Sequence, residues 1–192
     1  MGNRTLYLVR HGQYFTEPEH REHGHLTPLG RRQAKRTARR LAELPIDSIY
    51  HSDLPRAAET AAIIAESLPS LPLRSTRLLR EFGPPMPEAL RKLWGIGRAD
   101  RKAMRAQAVA LTKKFCVPTR RTAGRTELVV AHGNLIRYLV RVALGDRPIG
   151  WMQLGTHNCG ITILSIGPTP ERSYLMGHND LGHLPLGMQT MM

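Results

Sequence analysis

The apolar positions of this chain fall into short blocks with two different rhythms. Residues 5–9, Thr-Leu-Tyr-Leu-Val, form a compact run and read as a strand. Thr27-Pro28-Leu29-Gly30 opens a helix, with Thr27 as N-cap and Pro28 at the first helical position, and Ala34, Ala38 and Leu41 continue it at helical spacing. The same alternation predicts a strand over 46–50, a helix over 54–68 and a strand over 73–79. A proline bend (Pro84, Pro85, Pro87) then leads into a helix-rich stretch up to Phe115. A strand over 126–131, a helix over 134–144 stopped by Gly145, and late strands over 161–166 and 174–176 complete the pattern. Strands separated by helices imply an α/β fold, a three-layer αβα domain with a largely parallel central sheet. No solenoid-length repeat, low-complexity tract or linker interrupts it. Residues 1–192 are therefore expected to form one domain, with 177–192 a tail that is either a lid or a frayed end.

In such sheets ligands gather at the carboxyl ends of the strands, and two strands here end alike. Residues 8–12 read Leu-Val-Arg-His-Gly and residues 129–133 read Val-Val-Ala-His-Gly. Each glycine is expected to let the backbone turn sharply where its strand stops, so that the histidine faces the crevice. One histidine so placed is ordinarily a core or loop residue. Two at equivalent ends share one pocket if their strands are neighbours. Arg56 adds to this, since it sits in the first turn of the helix that follows Ser52-Asp53-Leu54-Pro55. A cation there opposes the helix dipole unless it helps to hold an anion; a surface pair with Asp53 or Glu59 is the plain alternative. With Arg10 beside His11, the set becomes two arginines and two histidines, the makings of a cage for a phosphoryl group.

Composition narrows the classes. A chain of 192 residues with 41% hydrophobic content can bury a core and is not a disordered tail. No apolar run approaches the roughly 20 residues needed to cross a membrane, and the N-terminus has no signal-peptide stretch. Cys116 and Cys159 lie far apart, which fits a reducing compartment; a cytoplasmic location without membrane partners is expected. The formal charge of +13 comes mostly from arginine. It suits a phosphorylated or polyanionic partner, and it equally fits an arginine-rich composition with no functional content. Arg74, Arg77, Arg80 and Arg91 are candidates for the rim of the cleft.

Arg10-His11-Gly12, Ser52-Asp53-Leu54-x-Arg56-Ala57-x-x-Thr60, Leu79-x-Glu81 and Ala131-His132-Gly133 follow, in order, the pattern of the histidine phosphatase superfamily. Leu26 to Ala34 also looks like that family's first helix entry. The chain resembles this family, with its phosphoglycerate mutase-like fold, from residue 5 to 166. Within the superfamily it is most similar to the mitochondrial serine/threonine phosphatases of the phosphoglycerate mutase family. The shared stretches are Arg10-His11-Gly12-Gln13-Tyr14, Leu79-Arg80-Glu81, His132 to Tyr138, Gly150-Trp151, and Asn158-Cys159-Gly160-Ile161-Thr162. Those phosphatases carry an N-terminal membrane segment that is not found in this sequence, so their location is not carried over.

The resemblance implies a phosphomonoesterase that forms a phosphohistidine at His11. Arg10, Arg56 and His132 would hold the phosphoryl oxygens, and Glu81 would protonate the leaving oxygen and then deprotonate water. No metal or other cofactor is expected, since the cationic side chains take over its work. An ion pair of Glu81 with Arg80 or Arg77 is the plain alternative. Mutases of the family are longer and usually place Glu after Arg-His-Gly, with an Asn nearby. This chain has Gln13-Tyr14-Phe15-Thr16-Glu17 and only 50 residues between Glu81 and His132, which favours hydrolysis over a mutase-type transfer. The expected partner is a phosphorylated substrate, a phosphoprotein or other anionic phosphoester. Two other classes are considered. His20, His23 and His25 could bind zinc, but no fourth ligand accompanies them. The basic run from Arg31 to Arg40 could track nucleic acid, but it lacks interleaved aromatic residues. A non-hydrolysing binder of phosphorylated ligands is the remaining alternative. The sequence carries no sign of oligomeric state.

Overall fold

The computed structural model describes residues 2–17, 24–83, 88–93, 95, 98–145 and 150–191. Among the described residues six strands and five helices follow one another as β1 (Arg4–Arg10), α1 (Pro28–Leu41), β2 (Ser48–Ser52), α2 (Pro55–Ala65), β3 (Leu73–Thr76), α3 (Glu88–Leu93), α4 (Arg98–Phe115), β4 (Arg125–Ala131), α5 (Gly133–Ala143), β5 (Ile161–Ile166) and β6 (Tyr174–Asp180). The strands form one sheet in the order β3-β2-β4-β1-β5-β6. The first four are parallel, while β5 runs antiparallel to β1 and β6 antiparallel to β5. This is the expected three-layer α/β architecture with a mostly parallel sheet.

The layers follow from the period of two along each strand. Leu6 and Leu8 of β1 and Val129 and Ala131 of β4 face a core shared with Leu111 and Phe115 of α4 and Leu135, Ile136 and Leu139 of α5. Their neighbours Val9, Leu128 and Val130 face the opposite core, with Ala38 and Leu41 of α1 and Ala57, Ala61 and Ile64 of α2. Both faces of the central strands are covered, so β2 is buried along its whole length.

Boundaries moved where local capping or edge pairing outweighed the apolar pattern. The strand expected over 73–79 stops at Thr76, whose hydroxyl accepts from the Leu78 N–H at 3.2 Å and starts a 3-10 turn over Arg77–Leu79. The last strand is longer than 174–176. It runs on to Asp180, which pairs with Ile161, so residues 177–180 of the expected tail lie in the sheet. Gly145 adopts a φ of +65° just past α5, which explains why that helix ends there. The bend at Pro84, Pro85 and Pro87 lies outside the described residues.

Candidate active site

The sheet register builds the site. β1 and β4 are neighbours, with Arg10 opposite Ala131, so the residues that follow them meet at one strand end. The His11 N–H donates to the Ala131 carbonyl at 2.9 Å. The two imidazoles lie edge to face with centroids 5.1 Å apart. Both histidines are buried, as are Arg10 and Arg56.

The glycines act differently from expectation. Among the described residues the glycines with positive φ are Gly95, Gly124 and Gly145, so neither Gly12 nor Gly133 makes a left-handed turn. What they allow is close approach. A Cβ on Gly12 would stand 2.7 Å from the Gly30 carbonyl oxygen at the start of α1. One on Gly133 would stand 2.9 Å from Thr156 Oγ1 and 3.5 Å from Arg10 Nε. The missing side chains let the His11 turn lie against α1 and let Arg10 pass the start of α5.

Hydrogen bonding fixes the state of His11. Its Nδ1 lies 2.8 Å from the Gly12 carbonyl, which can only accept, so Nδ1 carries the proton. Arg56 Nε–H, which can only donate, reaches Nε2 at 3.2 Å, so the lone pair is on Nε2. Burial and the charges of Arg10 and Arg56 hold the imidazole well below its usual pKa, opposed by the Gly12 bond. His11 is therefore neutral with its free electron pair directed at Arg56. His132 is also held well below the usual value, first by burial and then by His11, Arg56 and Arg10. Its Nε2 lies 2.9 Å from Ser52 Oγ, and its buried Nδ1 has no hydrogen-bond partner among the described residues.

The arginines are held from behind. Arg10 Nη1 donates to the Thr156 carbonyl at 2.7 Å. The Arg56 guanidinium lies over the Tyr14 ring at 4.6 Å, and that ring packs edge-on against His11 at 5.1 Å. Arg56 enters at the second position of α2, after Leu54 and Pro55, with no side-chain cap on that helix end. The plain surface pairs do not account for it, because Asp53 takes a two-pronged bond from Arg80 (2.7 Å each) and Glu59 takes Arg31 and His25. Burial lowers the pKa of both Arg10 and Arg56, and Arg10 is lowered further by Arg137 and Arg56.

Glu81 follows the 3-10 turn and stands at the open side of this cluster. Solvent reaches its surface, yet the surrounding protein desolvates the carboxyl enough to raise its pKa. Arg10, the Asn134 and Phe82 N–H groups and Arg56 oppose that rise. The acid is thus near both arginines and the N-terminus of α5. Its neighbour Arg80 is engaged with Asp53.

Four expected residues, Arg10, His11, Arg56 and His132, are in direct mutual contact or share one strand end, and Glu81 borders them. Of the four arginines considered for the rim, Arg80 binds Asp53 and Arg74 lies over the Tyr50 ring at 5.8 Å, while the Arg91 side chain lies outside the described residues. His20 and His23 are likewise outside them, and His25 bonds Glu59. Several supporting residues were not assigned from sequence. Thr60 Oγ1 accepts from the Gly12 N–H at 3.0 Å and donates to the Arg56 carbonyl at 2.7 Å. Asn158 Nδ2 donates to the His11 carbonyl at 3.0 Å. Thr60 and Asn158 both fall in the stretches that carry the family resemblance, which was the only signal for them.

Comparison with known proteins identifies the family. The profile for the histidine phosphatase superfamily (branch 1) matches residues 6–92 and 96–180. The serine/threonine-protein phosphatase Pgam5, mitochondrial, of Caenorhabditis briggsae is 37% identical over 188 residues, covering 95% of this chain and 65% of that protein. Its human counterpart is 36% identical over 186 residues, covering 95% and 64%. The chain thus spans slightly less than two thirds of these relatives. The crystal structure of a phosphoglycerate mutase from Plasmodium falciparum superposes with a TM-score of 0.66 at 26% identity, covering 97% of this chain and 96% of that one. The expected cytoplasmic location is corrected by the relatives: curated relatives at 33–37% identity are named mitochondrial throughout. Cysteine spacing does not distinguish the two compartments. Among the described residues no helix is long and apolar enough to cross a membrane.

Proposed function

Because the chain belongs to the histidine phosphatase superfamily, we propose that it is a cofactor-independent phosphomonoesterase that works through a phosphohistidine at His11. The observation that carries this reading is the His11 ring. A neutral imidazole with Nδ1–H tied to a carbonyl and an unprotonated Nε2 beside a buried guanidinium can serve as the nucleophile once a bound phosphoryl group takes over the Arg56 N–H from Nε2. In the first step the Nε2 lone pair attacks phosphorus, the P–O ester bond breaks, and Glu81 gives its proton to the departing oxygen. In the second step Glu81 takes a proton from water, the resulting oxygen attacks phosphorus, and the P–N bond returns its electrons to Nε2. Arg10, Arg56 and His132 Nδ1–H bind the three phosphoryl oxygens as charge develops. The raised pKa of Glu81 supports the first half of its role, because an ordinary carboxyl would have lost its proton.

Hydrolysis is favoured over mutase-type transfer. The relatives at 36–37% identity are named serine/threonine-protein phosphatases, whereas the mutase structure is 26% identical. On that basis the substrate class is a phosphoserine or phosphothreonine protein. Arg137 adds a cation whose field reaches Arg10 and His178, suited to acidic residues beside the phosphorylated one.

The test uses p-nitrophenyl phosphate, phosphopeptides, sugar phosphates and nucleotides, compared by kcat/KM. Phosphopeptides should rank first. His11→Ala should lose nearly all turnover, and near-normal hydrolysis by that variant would sink the mechanism. Net isomerisation of a phosphorylated acid without phosphate release would support the mutase instead.

A further inference from the structure

Two fully buried amides hold the backbone on either side of the His11 turn. Gln33 of α1 accepts from the Gln13 N–H through Oε1 at 2.8 Å, and Asn158 donates from Nδ2 to the His11 carbonyl at 3.0 Å. Each amide has one end on the active-site loop. The other ends meet a segment that is remote in sequence. Gln33 Nε2 donates to the Met188 carbonyl at 2.6 Å and to Thr190 Oγ1 at 2.9 Å. The Thr190 hydroxyl donates to Asn158 Oδ1 at 2.9 Å, and the Thr190 carbonyl accepts from the Asn158 N–H at 2.9 Å. A hydroxyl has one proton and lone pairs to spare, so Thr190 satisfies a donor on one amide and an acceptor on the other at once. This fixes which way each amide points, and a flipped amide would offer its wrong end to the His11 loop.

The segment itself is anchored. A 3-10 turn spans Leu186–Met188, Gln189 Nε2 donates to the Leu184 carbonyl at 2.9 Å, and Leu184 is buried beside Leu26, Ala34, Ile63 and Cys159. The resulting network runs from residues 184–190 through Gln33 and Asn158 to both flanks of His11.

We propose that residues 184–190 form a clasp that positions the nucleophile, with the Thr190 hydroxyl as the link shared by Gln33 and Asn158. The inference rests on the phosphohistidine reading above. Gln33, Asn158 and Thr190 are positioning residues, since they act on His11 through its backbone and not on the substrate. Their effect should fall on the chemical step, because in-line attack tolerates little displacement of Nε2: a shift of about 1 Å costs on the order of 10² in rate.

The experiment compares the wild type, Thr190→Val, Thr190→Ser and a chain ending at Gln189, all assayed with p-nitrophenyl phosphate. Thr190→Val should lower kcat roughly tenfold with KM changed less than about twofold, and its His11 imidazole 15N shifts should move. Thr190→Ser keeps the hydroxyl and should restore wild-type kcat. The shortened chain, which also loses the Thr190 carbonyl that accepts from the Asn158 N–H, should lose at least as much as Thr190→Val. Wild-type kcat in Thr190→Val, unchanged His11 15N shifts, or a loss that Thr190→Ser shares in full would each overturn the clasp. Failure of the underlying reading is separable, because it would appear as a wild type that hydrolyses no phosphoester.

Discussion

At the scale of single residues, the site depends on two pKa shifts of opposite direction. His11 is held well below its ordinary value by burial and two guanidinium groups, so it stays neutral and nucleophilic as pH falls below about 6.5. Glu81 is shifted upward by desolvation and is useful as an acid only while protonated. Lowering the pH costs rate on reaching the depressed His11 pKa, and slows the second step where Glu81 must be unprotonated to take a proton from water; raising it slows the first step on passing the elevated Glu81 pKa. For a substrate with a poor leaving group, kcat should therefore fall on the alkaline side, and Glu81→Gln should abolish that limb while reducing kcat about 10²- to 10⁴-fold. Activated aryl phosphates leave without help, so Glu81→Gln should slow their first step, read as the burst of released phenol, far less than that of alkyl esters. Equal losses in that first step for alkyl and aryl substrates would argue that Glu81 is not the proton donor. The identities of these residues were legible because they recur in ordered motifs. Their ionisation states were not, because they depend on Gly12, Arg56 and Arg10 converging from separate stretches of chain.

At the scale of elements, the glycines next to His11 and His132 show how a residue can be needed for a reason other than the expected one. The His-Gly pairs suggested that glycine's backbone freedom lets the chain turn sharply, but Gly12 and Gly133 do not use the positive φ that only glycine adopts easily. Their neighbours explain the need for glycine. At Gly12 the obstacle is the α1 backbone at Gly30, which cannot yield without moving the helix that carries Gln33. At Gly133 the nearest atom is the Thr156 hydroxyl at 2.9 Å, which can rotate away. Gly12→Ala should consequently cost about 1–3 kcal/mol, and Gly133→Ala distinctly less, as read by denaturant unfolding. Reversal of that order would mean that the α1–loop contact is softer than its geometry indicates. Helix α1 itself was readable to the residue at its start, since Thr27 accepts from the Gly30 N–H at 3.0 Å, with Pro28 next, as the cap signal required. The 3-10 turn before Glu81 and the extended β6 were not readable, because a hydroxyl cap and an edge pairing decided them.

At the scale of the whole molecule, strand count and alternation were written in the sequence, while the sheet order was not. Placing β4 between β1 and β2 is what joins His11 to His132, and no local pattern encodes it; only the repeated His-Gly ending hinted that the strands were neighbours. Charge is the other property that emerges only at this scale. Several carboxylates are already engaged by arginines: Glu127 by Arg4 and Arg125, Asp53 by Arg80, Glu59 by Arg31 and Asp47 by Arg121. With 28 lysines and arginines against 15 acidic residues, a large positive excess remains to act at long range. Such a field raises the encounter rate of polyanions and weakens with salt, since the screening length falls from about 10 Å at 0.1 M to about 3 Å at 1 M. An acidic phosphopeptide should therefore show kcat/KM falling several-fold between low and high salt, while p-nitrophenyl phosphate, with a single anionic group, should change much less. If both substrates respond equally, salt is acting on the phosphoryl cage they share. If only the peptide responds, the excess arginines contribute to choosing the substrate before His11 meets it.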